Sequence, residues 1–398
     1  MIEDRVLIAG AGPVGLVAAA QLVRDGIPVT VLEAGSELGS ESRASTFHPP
    51  TLDMLEQLGV ARPLIEQGLK APQLQYRSKK DGVIAQFDFG EIADRTGHPY
   101  RVQSEQFKLT RILLDHLRNN NHFSIEFDCR VENVEQDSDG VVVSVSRNGN
   151  NEVRSGRWLI GADGARSEVR RSLGVEFEGF TWPDRFLVLS TAFDFDAVIP
   201  DLVSVNYVAD PECWQFLLRI PGMWRVMFPV SPDVSDEAAL TPAFAQSQLT
   251  RVVAGIAAFD VAHTTLYRVH QRVAKQFRVG RCFLVGDAAH INNPLGGMGM
   301  NGGIHDAVNL TTRLAAVCRG LAADGDLDRY DTQRRLVTLE SVQTQTIQNK
   351  RDLEARDEAS QREFRDRLKR IAADPDARRS YLERVSMIAS LRRASELG

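Results

Sequence analysis

The 398-residue sequence predicts an α/β fold. In it a helix-flanked parallel sheet is interrupted by a mostly antiparallel β-sheet domain and followed by a C-terminal helical segment. Three observations predict this. An apolar run, Val6-Leu7-Ile8-Ala9, ends at glycines in G-x-G-x-x-G spacing, and a helical pattern follows from Ala18 to Leu22. Two further strand-like runs, around Trp158 to Gly161 and Arg281 to Val285, end in Gly-Ala-Asp-Gly and Gly-Asp, each ahead of a helix. Between them, Val175 to about Arg268 alternates apolar and polar residues with the two-residue period of strands.

The first run is a βαβ unit of Rossmann type that opens on a dinucleotide phosphate loop. Gly10 permits the tight turn, Gly12 lets backbone approach a pyrophosphate, and Gly15 lets helix and strand pack closely; Pro13 and Val14 complete the loop. The helix start offers unpaired N–H groups and a positive dipole end to phosphates. A second apolar run, Val29 to Leu32, ends at Glu33 and Ala34, where a carboxylate can take both hydroxyls of an adenosine ribose.

Composition narrows the class. The chain is 43% hydrophobic and 25% charged, ordinary for a globular protein. Its net charge of −6 argues against a general role on nucleic acid or membrane surfaces. Cys129, Cys213, Cys282 and Cys318 are scattered, so neither a metal site nor a disulfide framework is signalled. With no leader-like segment and no run long enough to span a bilayer, the expected setting is cytoplasmic, as a monomer or homodimer.

Further along, Pro49 and Pro50 start a helix that ends near Gly59. Pro72 to Tyr100 reads as short strands outside the nucleotide fold, and Gln106 to Leu117 as a helix. Within the alternating region a helix is expected near Ala243 to Phe259. After Glu340 the chain is highly charged, and Asp374-Pro375 divides two helices. Leu382, Val385, Ile388 and Leu391 form an apolar stripe expected to pack on the body or on a second subunit. The expected division is a nucleotide domain at 1–72, 101–174 and 269–340, a substrate domain at 73–100 and 175–268, and helices at 341–398.

Each glycine stretch is strand, loop, then helix start, as needed to hold one extended dinucleotide across a sheet edge. Asp287 can accept a hydrogen bond from a ribityl hydroxyl, and the helix beginning near Gly299 to Asn301 can aim N–H groups at an anionic ring edge. Together these point to FAD rather than NAD as the bound cofactor. The chain resembles the class A flavoprotein aromatic hydroxylases, of the para-hydroxybenzoate and phenol hydroxylase type. Gly10 to Gly15 matches the first fingerprint, and Asp163-Gly164 resembles the motif associated with both FAD and pyridine nucleotide. Gly286-Asp287 with Pro294 resembles the second FAD motif, and Gly296-Gly297-Met298-Gly299-Met300-Asn301 the loop over the flavin ring. Arg43, Ala44 and Gln106 also sit where family members place flavin contacts.

The resemblance implies a cycle in which NADH or NADPH reduces the flavin, O2 adds to give a C4a-hydroperoxide, and an oxygen passes to a phenolic or N-heteroaromatic small molecule. The substrate pocket is expected between the antiparallel sheet and the Pro294 to Gly297 loop. Thr46, Phe47, Gln215, Arg219 and Arg225 are candidate substrate contacts, and Pro294, His48 and Tyr207 candidate catalytic positions. Alternation puts Gln215 and Arg219 on one sheet face, Trp214, Phe216 and Leu218 on the other; the sequence does not say which faces the pocket. Two alternatives stay open: an oxidase or monooxygenase of a non-aromatic or polyketide-like compound, and a non-enzymatic flavin-binding module.

Overall fold

The computed structural model describes residues 4–41, 44–355 and 357–397. The first sheet has six strands in the order Arg278–Val279, Cys282–Leu284, Trp158–Gly161, Val6–Ala9, Val29–Leu32 and Phe123–Glu126. All neighbours are parallel except the edge pair Arg278–Val279 and Cys282–Leu284. The strands Val6–Ala9, Val29–Leu32 and Trp158–Gly161 are buried throughout, as their unbroken apolar runs require when helices cover both faces.

Register brings the three glycine stretches together. Ala9 pairs with Gly161 and with Leu32, and Gly161 pairs with Leu284. The loops after Ala9, Gly161 and Leu284 therefore leave side by side, at the carboxyl ends of adjacent strands. The chain's next strand, Val29–Leu32, lies on one side of Val6–Ala9, and the strand Trp158–Gly161 on the other. Such a reversal of strand order opens the crevice in which α/β sheets bind ligands.

The second sheet has eight strands, in the order His290–Ile291, Val261–Ala274, Phe177–Thr191, Met223–Val230, Gln215–Ile220, Val205–Ala209, Gln73–Ser78 and Gly82–Asp88. It is antiparallel except where Val205–Ala209 meets Gln73–Ser78. This sheet does not stop at residue 268: Val261–Ala274 runs on, and the edge strand His290–Ile291 pairs with it. The Pro294 loop is thus a direct continuation of the eight-stranded sheet. The helix expected to reach Phe259 spans only Pro242–Val252, because Val253 is already extended and Gly255 takes φ +83°.

The charged C-terminal helices pack on the body. Phe364, Leu368, Tyr381, Leu382 and Val385 join Phe186, Tyr207, Trp214 and Leu295 in one core cluster. The stripe is not one helix, since Met387 adopts φ +69° and separates Pro375–Val385 from Ile388–Glu396.

A tight junction lies where the helices Pro13–Arg24 and Met298–Cys318 meet the Gly286 loop. A Cβ on Gly303 would stand 2.7 Å from Val14 Cγ2 and 2.8 Å from Gly286 Cα. Gly303→Ala is therefore expected to destabilise the fold by about 1–3 kcal/mol, the usual effect of overpacking a dense core. Denaturant unfolding checks this, and a wild-type midpoint would show that the junction has slack.

Candidate active site

At the first loop, Gly10 has φ +100°, and a Cβ there would lie 2.6 Å from Ala162 O; a Cβ on Gly15 would lie 2.1 Å from Gly10 O. Beside Gly12 no atom lies within 4 Å of such a Cβ, so the space in front of the loop is open. No side chain caps the helix that starts at Pro13. Its first intrahelical bond runs from Leu16 N–H to Gly12 O, which leaves the N–H groups of Val14 and Gly15 ahead of it. Glu33 braces the loop through Ala11 N–H (2.7 Å) and Gly35 N–H (2.8 Å). Each of its oxygens retains a further acceptor position for a ribose hydroxyl. Ala34 is exposed beside it.

The second loop holds Asp163. Its Oδ2 accepts from Val169 N–H at 3.1 Å, and its Oδ1 is buried with no hydrogen-bond partner among the described residues. Burial raises the carboxyl's pKa, against the hydrogen bonds from Ser167 and Val169. In the third stretch Asp287 is exposed between buried Gly286 and Ala288. Arg170, which the sequence reading did not single out, joins the two loops: it donates to Ala165 O at 2.9 Å and to Ala288 O at 2.8 Å.

Over the ring position, Met298–Cys318 begins at Gly297, which has φ +68° and no side-chain cap. The N–H groups of Met298, Gly299 and Met300 head this helix. Asn301 is a staple: its Nδ2 donates to Thr46 O (2.8 Å) and Gly297 O (2.7 Å), and its Oδ1 accepts from His48 N–H (2.9 Å). Its side chain is thus committed to scaffold, leaving only backbone for a cofactor. Pro294 is exposed, and its carbonyl accepts from Gly297 N–H. Ala44 O accepts from Gln106 N–H at 3.0 Å, which sets Gln106 against the same loop. Arg43 lies outside the described residues.

These features fit FAD. An open phosphate turn, an acid at the end of the second strand, an orphaned buried Asp163 oxygen and an uncapped helix start lie in the order that the extended molecule needs. Gly10, Gly12, Pro13, Val14, Gly15 and Glu33 would hold its adenosine and pyrophosphate side, Asp287 its ribityl chain, and Gly297 to Met300 its ring.

Several substrate candidates need correction. Phe47 is fully buried in the core of the parallel-sheet domain. Gln215 and Arg219 share a strand face with Leu217, which packs in the cluster with Val226 and Phe228. The opposite face, with Trp214, Leu218 and Met227, packs in one cluster with Leu295 of the 291–297 loop and is the face that a pocket beside that loop would use. Arg219 is exposed and ion-paired with Asp196 on the far side. Arg225 lies on the pocket face: buried, it donates to Ser45 Oγ at 2.9 Å. Thr46, also buried, spends its hydroxyl on Gln103 Oε1 at 2.7 Å. Tyr207 is on the pocket face but stacks on Tyr76, 5.0 Å between ring centroids. His48 is a poor base. Its Nε2 bonds Gly296 O at 2.9 Å, and burial, then the charge of Arg101, lowers its pKa well below the ordinary imidazole value.

The sequence signature described as FAD binding domain matches residues 3–345. The chain belongs to this family. It is 35% identical to the para-nitrophenol 4-monooxygenase of Pseudomonas sp. (strain WBC-3), over 85% of this chain and 84% of that one. It is 33% identical to the 6-hydroxy-3-succinoylpyridine 3-monooxygenase of Pseudomonas putida (strain DSM 28022 / S16), over 88% and 89%. The crystal structure of p-nitrophenol 4-monooxygenase from Pseudomonas putida DLL-E4 superposes with a TM-score of 0.91 at 30% identity, over 98% of both chains. The protein is a class A FAD-dependent aromatic monooxygenase that uses NAD(P)H and O2. Among the described residues no helix is long and apolar enough to cross a membrane.

Two measurements check the site. Asp287→Ala should weaken FAD binding by about 1.5–3 kcal/mol, the contribution of a hydrogen bond to a charged acceptor; an unchanged dissociation constant in a folded variant would place Asp287 away from the cofactor. The second concerns pH. Burial, then Arg334, pushes His305 down to about 3, and His48 is lowered too. Both are neutral when folded, yet take a proton in the unfolded chain below about pH 6.5. Stability is therefore full above that pH and falls below it, by up to about 1.4 kcal/mol per pH unit for each histidine. Denaturant unfolding at pH 7 and pH 5 reads this directly, and equal free energies would contradict it.

Proposed function

We propose that the chain hydroxylates a small ring bearing an ionisable hydroxyl, a phenol or hydroxypyridine, and that Arg225 holds that ring's negative end. The observation that carries this is the buried guanidinium that donates to Ser45, on the face of the eight-stranded sheet that packs against Leu295. The relatives named for para-nitrophenol and for a hydroxypyridine support the substrate class.

Bound FAD, once reduced, supplies the activation of O2; the protein supplies position, charge and dryness. Arg225 favours the ionised hydroxyl, and an oxyanion makes the ring's ortho and para carbons more electron-rich. No side chain here is a strong base, so ionisation is driven by that field rather than by His48. Phe186, Trp214, Met227 and Leu295 give that face an apolar surface, which would keep water from a ring bound against it. The N–H groups of Met298, Gly299 and Met300 favour negative charge at the helix start. In this division of labour, 1–72, 101–174 and 269–340 hold FAD, 73–100 and 175–268 wall the substrate, and 341–398 close it from outside. We place the protein in the cytoplasm, where NADH is made and where four free thiols stay reduced.

The deciding experiment measures NADH consumed, peroxide released and product formed with para-nitrophenol, simple phenols and hydroxypyridines. Product matching NADH for one of these classes is expected. NADH consumption that ignores every aromatic and yields only peroxide would refute the reading. Arg225→Met should raise KM for the phenolate about 10–100-fold, as expected for removing one member of a buried charged contact. Arg219→Ala should leave it within about twofold, as a surface pair does; the reverse order would assign the anion site to the other face.

For the donor, Ala34 to Glu41 contains exposed Glu37 and Glu41 and no Lys or Arg. Both carboxylates repel a 2′-phosphate, so NADH should serve at least as well as NADPH. A tenfold kcat/KM preference for NADPH, about 1.4 kcal/mol, would contradict this.

A further inference from the structure

Beyond the flavin motifs runs one long helical rod with a change of phase. Asp328–Val337 and Thr344–Glu354 are α-helical and are joined through a π-helical turn, Thr338–Gln343. The first half grips the second FAD motif: Tyr330 Oη donates to Leu284 O at 2.5 Å, and Arg334 Nε to Asp306 Oδ1 at 2.7 Å. The second half grips the ring loop. Gln343 Nε2 donates to Ile291 O at 3.1 Å, Thr346 O accepts from Asn293 Nδ2 at 2.9 Å, and Asn349 Nδ2 donates to Leu295 O at 3.2 Å. Gln271, from the long strand Val261–Ala274, closes the brace. Its Oε1 accepts from Asn293 N–H at 3.1 Å, and its Nε2 donates to Thr346 Oγ1 at 2.8 Å.

The π-turn makes this double grip geometrically consistent. Arg334 and Thr346 are twelve positions apart in the sequence. On an unbroken α-helix of 3.6 residues per turn that spacing leaves them about 120° apart. One extra residue in a π-turn takes back about 100°. Thr346 so comes round to the face of Arg334, and by the same count Asn349 to the face of Tyr330. Lys350, the next residue, fixes the rod to the sheet: it pairs with Asp184 at 3.0 Å and with Glu354, under the ring of Trp182.

We propose that Gln343, Thr346 and Asn349, with Gln271, are positioning residues of the monooxygenase reaction. They hold residues 291–297 at one height over the flavin ring, so that oxygen enters the substrate instead of leaving as peroxide. The coupled route turns Ar–H, O2, NADH and H+ into Ar–OH, NAD+ and water, or, at the nitro-bearing carbon of para-nitrophenol, turns the phenol, O2 and NADH into quinone, nitrite, NAD+ and water; the uncoupled route turns O2, NADH and H+ into H2O2 and NAD+. The coupling half of this inference rests on the hydroxylase reading above, whereas the bracing half does not.

The test uses the FAD-loaded full chain and Asn349→Leu, which keeps the bulk and removes the donor. Asn349 is only partly buried, so this variant is expected to fold; Gln343→Leu is the second. Hydrogen exchange of amides 291–298 and the peroxide share of NADH consumed with para-nitrophenol are measured together. Both should rise about fivefold, the factor that one lost hydrogen bond represents in a local equilibrium. Wild-type exchange in both folded variants would overturn the brace. Faster exchange with an unchanged peroxide share would overturn its role in coupling. Should the wild type convert no aromatic, the hydroxylase reading fails on its own and exchange alone decides the brace.

Discussion

The fold depends on one buried carboxylate. Asp306 accepts from Gly286 N–H at 3.1 Å, from His290 Nε2 at 2.7 Å and from Arg334 Nε at 2.7 Å. Burial alone would raise its pKa; His290 and Arg334 overcome this and hold it below the ordinary carboxylate range. That one side chain ties the Gly286 turn, the edge strand of the eight-stranded sheet and the long C-terminal rod to the helix Met298–Cys318. A buried charge of this kind is costly unless every partner is in place, so losing any one partner loosens several elements at once.

Function follows from that constraint. The three glycine loops follow strands far apart in sequence, and none is held by its own local bonds alone. Arg170 bridges the Asp163 and Asp287 loops, and Asn301 staples the Thr46 loop to the ring helix. The eight-stranded sheet is continuous with the Pro294 loop through the edge strand His290–Ile291, so sheet and loop are positioned together.

The sequence reveals what is local and hides what is long-range. That Gly10 to Gly15, Glu33 and Asp287 follow strand ends could be read because strand, turn and helix start have fixed spacing. The strand alternation of 186–230 was equally legible, but not which face met the flavin, since that depends on how the sheet lies on the ring loop. Arg219 and Arg225 look alike in a string; one pairs with Asp196 at the surface, and the other is buried beside Ser45. Asp306, Arg334 and Arg170 carry no local pattern, since their partners lie many positions away and burial of a charge leaves no periodicity. His290, two residues after Ala288, is likewise structural, buried and bonded to Asp306.

The claim that this buried junction, which need not touch the cofactor, sets the flavin site is tested most directly by titrating FAD into the Asp306→Asn variant. The change keeps shape and removes the charge that His290 and Arg334 face. FAD affinity should fall at least about tenfold, or 1.4 kcal/mol, in protein that remains folded by circular dichroism. A folded Asp306→Asn variant that binds FAD as the wild type does would contradict the account.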